Sequence, residues 1–319
     1  MRAPKRWLGA LAALLLPMPT QAQQAQPQAD RPITMLSPFP AAGGGSARVF
    51  ADAFGRLLGH PVVILQREGA SGVVGMRALA ASPADGWTIA YTAMTPLVVQ
   101  PHLVRELGYQ PEALASICNV AENVISIAVR ADSPVHTVAD LIAAGKRGPF
   151  TYGSAGINSL PDLAMQRFQA AAGVEFTHVP HRGDGPAFTE TYAGRLNFAA
   201  VSVAAAGAMV RSGEMRLVAV FSAQRHPEFP SVPTVTEQGV AMVQQSFAGL
   251  YAPPGTPQPV LARYQAACRT AVEDPAYRAI ATATGAVVSY MPGAELAAML
   301  RTESERTGAT LRALGVQPQ

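Results

Sequence analysis

The chain has 319 residues, 14% of them charged, and a formal net charge of +3. Arg2, Lys5 and Arg6 supply that excess: setting these three aside from the 24 Lys+Arg leaves 21 against 21 Asp+Glu, and Lys146 is then the only lysine. A neutral chain without a basic stripe interleaved with aromatics excludes nucleic acid as a partner.

Read in chain order, "MRAPKRWLGALAALLLPMPTQA" places three cations before an apolar run and ends on small residues. This is the pattern of a secretory leader (1–22) cut after Ala22, and it predicts export. The apolar run is too short to span a bilayer, and no later run of about 18 uninterrupted apolar residues occurs, so no membrane span is expected. A Gln-, Ala- and Pro-rich linker (23–30) follows. The roughly 300 residues after the leader exceed what one hydrophobic core comfortably holds, which predicts two lobes. Cys118 and Cys268 are the only cysteines; they read either as a pair or as two small buried apolar residues.

From residue 31 strands and helices alternate. "ITMLSPF" reads as a strand, and the segment from Ser46 puts Val49, Phe50, Ala53, Phe54, Leu57 and Leu58 on one helical face. "PVVILQ" and "GWTIAYT" are strands flanking a helix from Val73 to Ala81. "NVISIAVR" starts a second round, and "TVADLIAAGKRG" opens with a capping-box pattern, Thr137 to Asp140. "FTYGS", "EFTHVP", "RLNFAAV" and "MRLVAVFS" are further strands, with helical segments after "AGIN" and around Phe188 and Ala205. "HPEFPSVPT" is a long surface connection. "FAGLYAPPGTP" leads to helices at 260–273 and 294–314 with the strand "AVVSY" between them. The rhythm is that of an α/β chain with a mainly parallel sheet.

Two turns carry the candidate chemistry, "AAGGGSAR" at 41–48 and "GSAGINS" at 153–159. At the carboxyl ends of parallel strands, helix N-termini present unpaired N–H groups, glycines let a ligand approach the backbone, and serine hydroxyls add donors. Neither turn contains Asp or Glu, so an anion would meet donors without a repelling carboxylate. A lone glycine-rich loop is most often an ordinary tight turn; two of them, one per lobe, point to a cleft that grips a carboxylate.

Other chemistries fail in detail. "GGGSAR" fits neither the P-loop nor the dinucleotide fingerprint, and "YGSAG" has Tyr152 where a nucleophile elbow has Gly. His178 and His181 read as a structural pair rather than a metal site, because no further ligands can be nominated. No Ser-His-Asp or Cys-His grouping emerges, so no catalytic residue, metal or cofactor is expected. Arg182 and Asp184 read as a solvated surface pair, and Trp87 as a core aromatic.

The segments "PFPAAGGGSAR", "LGHPVVI", "GASGVVG", "SPADGWTI", "FTYGSAGINS", "HVPHRG", "VPTVTEQGV" and "GLYAPPGTP", in this order from residue 31 onward, resemble the Bug family of periplasmic receptors. These are the extracytoplasmic substrate-binding proteins of tripartite tricarboxylate transporters. The resemblance implies a two-lobed α/β periplasmic binding protein of the Venus flytrap type (type II), with a mixed, mainly parallel sheet in each lobe. It places 31–122 and 245–319 in lobe 1 and 123–244 in lobe 2, with hinges near Glu122 and Gln245. It implies a monomer that binds a small organic acid without catalysis and delivers it to transporter membrane components. A sensor kinase is the alternative partner, and a secreted hydrolase is the remotest reading.

On this reading Ser46 and the Gly44 and Gly45 backbone grip one carboxylate, with Phe39 beside them. Ser154, Ala155, Gly156, Asn158 and Ser159 close from lobe 2, and Thr92, Thr95, His181, Val201 and Ser202 line the rest. Several positions depart from the family pattern. The first loop is about two residues shorter than the P-G-G-[ST]-x-D form and lacks its Asp. Asn197 and Val201 stand where acids are usual, Ile157, Asn158 and Pro161 alter the second turn, and His181 replaces a Tyr. A less acidic cleft favours an aromatic or aliphatic carboxylate over a zwitterionic amino acid.

Overall fold

The structure is a computed structural model describing residues 31–38 and 46–319. The leader, the linker, and Phe39, Gly44 and Gly45 of the first glycine loop lie outside the described residues. In chain order the elements are β1 (Ile33–Ser37), α1 (Ser46–Leu58), β2 (Val62–Gln66), α2 (Val73–Ala80), β3 (Thr88–Ala93), the short α3 (Thr95–Val98) and β4 (Ala115–Glu122). There follow β5 (Ile125–Arg130), α4 (Val138–Arg147), β6 (Thr151–Ser154), α5 (Leu160–Ala172), β7 (Thr177–Pro180), α6 (Asp184–Tyr192), β8 (Phe198–Ser202), α7 (Val203–Arg211) and β9 (Met215–Val220). The chain ends with β10 (Phe247–Ala252), α8 (Gln258–Ala271), α9 (Pro275–Ala283), β11 (Val287–Pro292) and α10 (Gly293–Ala313).

Two mixed sheets result, ordered β11-β4-β10-β3-β1-β2 and β7-β6-β8-β5-β9. In the first, β1 to β4 share one direction and β10 and β11 oppose them; in the second only β5 runs against the rest. The carboxyl ends of β1 to β4 therefore meet at one edge. The chain leaves the first sheet between β4 and β5 and returns between β9 and β10. The two passages lie side by side, with the Asn123 N–H donating to the Ser246 carbonyl at 2.7 Å.

Helix α1 packs its aromatics inward. Phe50 and Phe54 are fully buried and stack at 5.6 Å, and Phe50 meets the Tyr277 ring edge-on at 5.2 Å. Its buried face is turned from the expected one toward Ala51 and Gly55, leaving Leu57 48% exposed. Gly55 allows that close packing, since a Cβ there would lie 2.7 Å from the His60 carbonyl oxygen. The expected caps form: Thr137 and Asp140 close the capping box of α4, and Ser159 caps α5. Strands β4 and β10 and helix α9 are additions to the pattern read from sequence.

The cysteines are paired. A Cys118–Cys268 disulfide ties β4 to α8 within the first core. Trp87 is half-buried against that core, with the Arg31 guanidinium 4.8 Å from its ring.

Candidate functional site

A cavity of about 460 Å³ opens where β1 to β4 end. Ser37 and Gln66 sit at the ends of β1 and β2, Thr92 and Ala93 at the end of β3, and Ala121 and Asn123 at the end of β4 and just past it. The β1-α1-β2 unit is parallel, so the first turn of α1 must start at this same edge, bringing Ser46, Ala47 and Arg48 to the cavity. Helix α9 supplies Tyr277 and Ala281, and Ala204 from the first turn of α7 closes the side facing the second sheet.

Electrostatically the cavity is one-sided. Arg48 is its only charged lining residue among the described ones, and no described carboxylate pairs with it. It lies in the first turn of a thirteen-residue helix that has no acid there, so its charge and the positive helix end add. Tyr91 and Tyr277 bond to one another through their hydroxyls, and Tyr91 also bonds Ser46. Burial pushes Tyr91 up to about 12 and Tyr277 well above its ordinary value, so both phenols are neutral.

The second glycine turn is organised differently from its sequence reading. The Asp162 carboxylate, 2% exposed, folds back over it, accepting the Tyr152 O–H at 2.8 Å and the Asn158 N–H at 2.8 Å. A turn with no acid of its own thus contains one in space. His178 stacks on Tyr152 with its Nε2 2.8 Å from Ser154 Oγ and its Nδ1 3.4 Å from Asp162 Oδ1. Desolvation holds the imidazole below its usual value despite Asp162, with His181 adding to the effect. The sequence alone allowed no Ser-His-Asp grouping to be proposed; in the structure β6, β7 and α5 assemble one from Ser154, His178 and Asp162. The Ser154 hydroxyl is fully buried and lines none of the described cavities, so the arrangement braces the turn and offers no accessible nucleophile.

Of the sequence-derived site residues, Ser46 and Thr92 line the cavity. Thr95 starts α3 just past it. Ser154, Ala155, Gly156, Asn158, Ser159 and His181 cluster at the second turn, where the Gly156 and Asn158 N–H groups already have partners and the His181 N–H donates to the Ser154 carbonyl. Val201 is fully buried in β8, and Ser202 caps α7 by accepting the Ala205 N–H. Asp184 accepts the Ser202 N–H at 2.9 Å instead of pairing with the exposed Arg182, which replaces the surface pair expected from sequence. Arg48, Gln66, Asn123, Tyr91 and Tyr277 were not anticipated. Arg48 stood inside the quoted motif, whereas Tyr277 belongs to the unforeseen α9. No group of three or more His, Cys, Asp or Glu among the described residues could hold a metal ion. None of their helices is long and apolar enough to cross a membrane.

The model of the tripartite tricarboxylate transporter family receptor matches residues 46–316, nearly the whole described chain. The chain belongs to this receptor family. A "UPF0065 protein in gbd 5'region" of Cupriavidus necator is 34% identical over 275 residues, 84% of this chain and 83% of that protein. The crystal structure of a TctC solute binding protein from Polaromonas, without ligand, superposes with a TM-score of 0.81 at 29% identity, covering 89% of this chain and 98% of its own. R. palustris Rpa4515 with adipate gives a TM-score of 0.77 at 25% identity, covering 91% and 99%. The Polaromonas neighbour is a solute binding protein, and the two-sheet α/β architecture is the family's fold.

Proposed function

We propose that this receptor captures a small carboxylate in the cavity at the carboxyl ends of β1 to β4 and presents it to the membrane components of a tripartite tricarboxylate transporter. The observation that carries the reading is the lone Arg48 cation at the N-terminus of α1, lining a cavity with no described acid. Family membership supports it, as does the adipate held by a structural neighbour. A leader of the kind read from sequence would deliver the chain to the periplasm.

In this proposal residues 31–122 and 245–319 form one lobe and 123–244 the other, hinged where Asn123 bonds Ser246. Ser46 and Thr92 face the ligand from the first lobe. Ser159 and Ser202 each accept a helix N–H with the oxygen and keep an O–H to donate when the lobes close. Closure follows only the ligand's preference for the closed form.

Calorimetric titration with phenylacetate and with its neutral isostere phenylacetamide tests the anionic requirement. The expected result is one-site saturable binding of the acid, with the amide at least tenfold weaker because a charge-assisted hydrogen bond is lost. Equal affinity for the amide would overturn the reading.

A further inference from the structure

Among the described lining residues the cavity is charged at one place only, Arg48. On the side of β1 and β2, where α1 brings Arg48, stand Ser37, Ile64 and Gln66; across β3 lies a wall of alanines, Ala93, Ala248 and Ala121 at the ends of β3, β10 and β4 with Ala281 and Ala286, and Asn123 stands beside it. Several of the lining hydroxyls are already engaged. Thr284 donates to the Ile280 and Ala281 carbonyls, and Thr92 to the Ala93 carbonyl. The Tyr277 oxygen lies 3.2 Å from the Val120 carbonyl and is bonded to Tyr91, which in turn reaches Ser46. A ligand lying against the alanines meets methyl groups and neutral polar groups, with no charge among the described residues there.

Resting on the carboxylate reading above, we infer that the receptor selects monocarboxylates with an apolar body. The carboxylate sits at Arg48 and the first turn of α1, and the body lies along the alanine wall toward α9. A second carboxylate would find no second cation among the described lining residues. An α-ammonium would find no described acid lining the cavity. The loop residues 39–45, Phe-Pro-Ala-Ala-Gly-Gly-Gly, carry no ionisable side chain and so cannot supply either partner. An unpaired charge taken out of water is far costlier than a buried methylene is favourable, so the penalty decides between ligands of equal size. A cavity of about 460 Å³ is within the range of small-molecule sites and holds a phenylalkanoate or a medium-chain fatty acid. This narrows the aromatic or aliphatic acid expected from sequence, and it departs from the diacid seen with the R. palustris neighbour.

Two matched ligand pairs test it on the full receptor by calorimetry. Hexanoate and adipate differ by a terminal carboxylate, and 3-phenylpropionate and phenylalanine by an α-ammonium. The expected result is that hexanoate and 3-phenylpropionate bind, that adipate and phenylalanine are each at least tenfold weaker than their partners, and that Arg48→Gln weakens both monoacids at least tenfold. If adipate matches or exceeds hexanoate, or phenylalanine matches 3-phenylpropionate, the selectivity is wrong while carboxylate capture stands. If the monoacids bind Arg48→Gln as tightly as the parent chain, the seat is wrong and the inference falls with it. If none of the four ligands binds, the carboxylate reading fails first and this one with it.

Discussion

His226 shows how a single side chain reports on the joint between the sheets. It is 2% exposed in the connection from β9 to β10. The Glu228 N–H donates to its Nδ1 at 3.2 Å, so the proton of the neutral ring sits on Nε2, 3.3 Å from the Gly285 carbonyl. Gly285 in turn has a φ of +68° and presses on α7, since a Cβ there would lie 2.8 Å from the Ala204 Cα. Protonating Nδ1 would break the bond from Glu228 and charge a desolvated group, and desolvation accordingly holds this imidazole below its usual value. The sign follows. Above the unfolded value of about 6.5 both states are neutral and stability is at its plateau. As pH falls below that value the unfolded chain takes up the proton first, and stability declines until the depressed folded value is reached. Urea midpoints should therefore be lower at pH 5.5 than at pH 7.5, and His226→Gln should reduce that difference. A gap of the same size in the variant would show that another group, such as His178, governs it.

At the scale of elements, what was legible in the sequence is what is local. The capping box at Thr137 and the cap at Ser159 span three residues, and both form as read. Ser159 accepts the Asp162 N–H at the start of α5, so Ser159→Ala should cost about 1 kcal/mol of stability, measured by urea unfolding without ligand. No loss would mean that α5 is held by its buried Asp162 alone. Strands β4 and β10 stayed hidden because their character is tertiary. Asn119 interrupts the apolar run of β4, yet it is fully buried because its side chain donates to the Ser289 carbonyl of β11 at 2.6 Å. In β10, Gly249 has little strand propensity, but it suits a place where a Cβ would lie 2.8 Å from the Cys118 carbonyl oxygen. The candidate site divides in the same way. Ser46 and Thr92 follow from the rule that strand ends and helix starts share an edge, and both line the cavity. Tyr277, Asn123 and Ala204 reach it from α9, the crossing and α7, which no local pattern connects. Asp162 escaped notice as a partner of the second turn because its approach depends on the helix direction that Ser159 sets.

Across the whole molecule, a second tie joins the sheets away from the crossing. Arg167 of α5, in the second sheet's layer, reaches α10, which packs on β4 of the first. Its guanidinium lies 3.3 Å from the Glu303 carboxylate and donates to Thr307 and Thr310 at 3.1 Å and to Gln244 at 2.5 Å. Glu303 is 1% exposed, and its other partner, Arg306, lies 2.8 Å away with a largely exposed side chain. Removing one member of a buried pair is costly because the other stays desolvated; removing both is often neutral. Arg167→Leu should thus lose about 3 kcal/mol in urea unfolding, toward the low end of the usual range because Arg306 still screens Glu303. The double variant Arg167→Leu, Glu303→Leu should recover at least half of that, giving a coupling of at least about 1.5 kcal/mol in a double-mutant cycle. Additive losses in the cycle would show that the guanidinium acts through Thr307, Thr310 and Gln244 rather than through the ion pair. Because α5 begins at the second glycine turn, this clasp fixes the distance of that turn from the cavity on the first sheet. On the two-lobe proposal, loosening it in the double variant shifts the balance between lobe arrangements, so 3-phenylpropionate affinity should change even though no residue lining the cavity has been touched. An unchanged affinity would mean that the ligand binds to the first lobe alone.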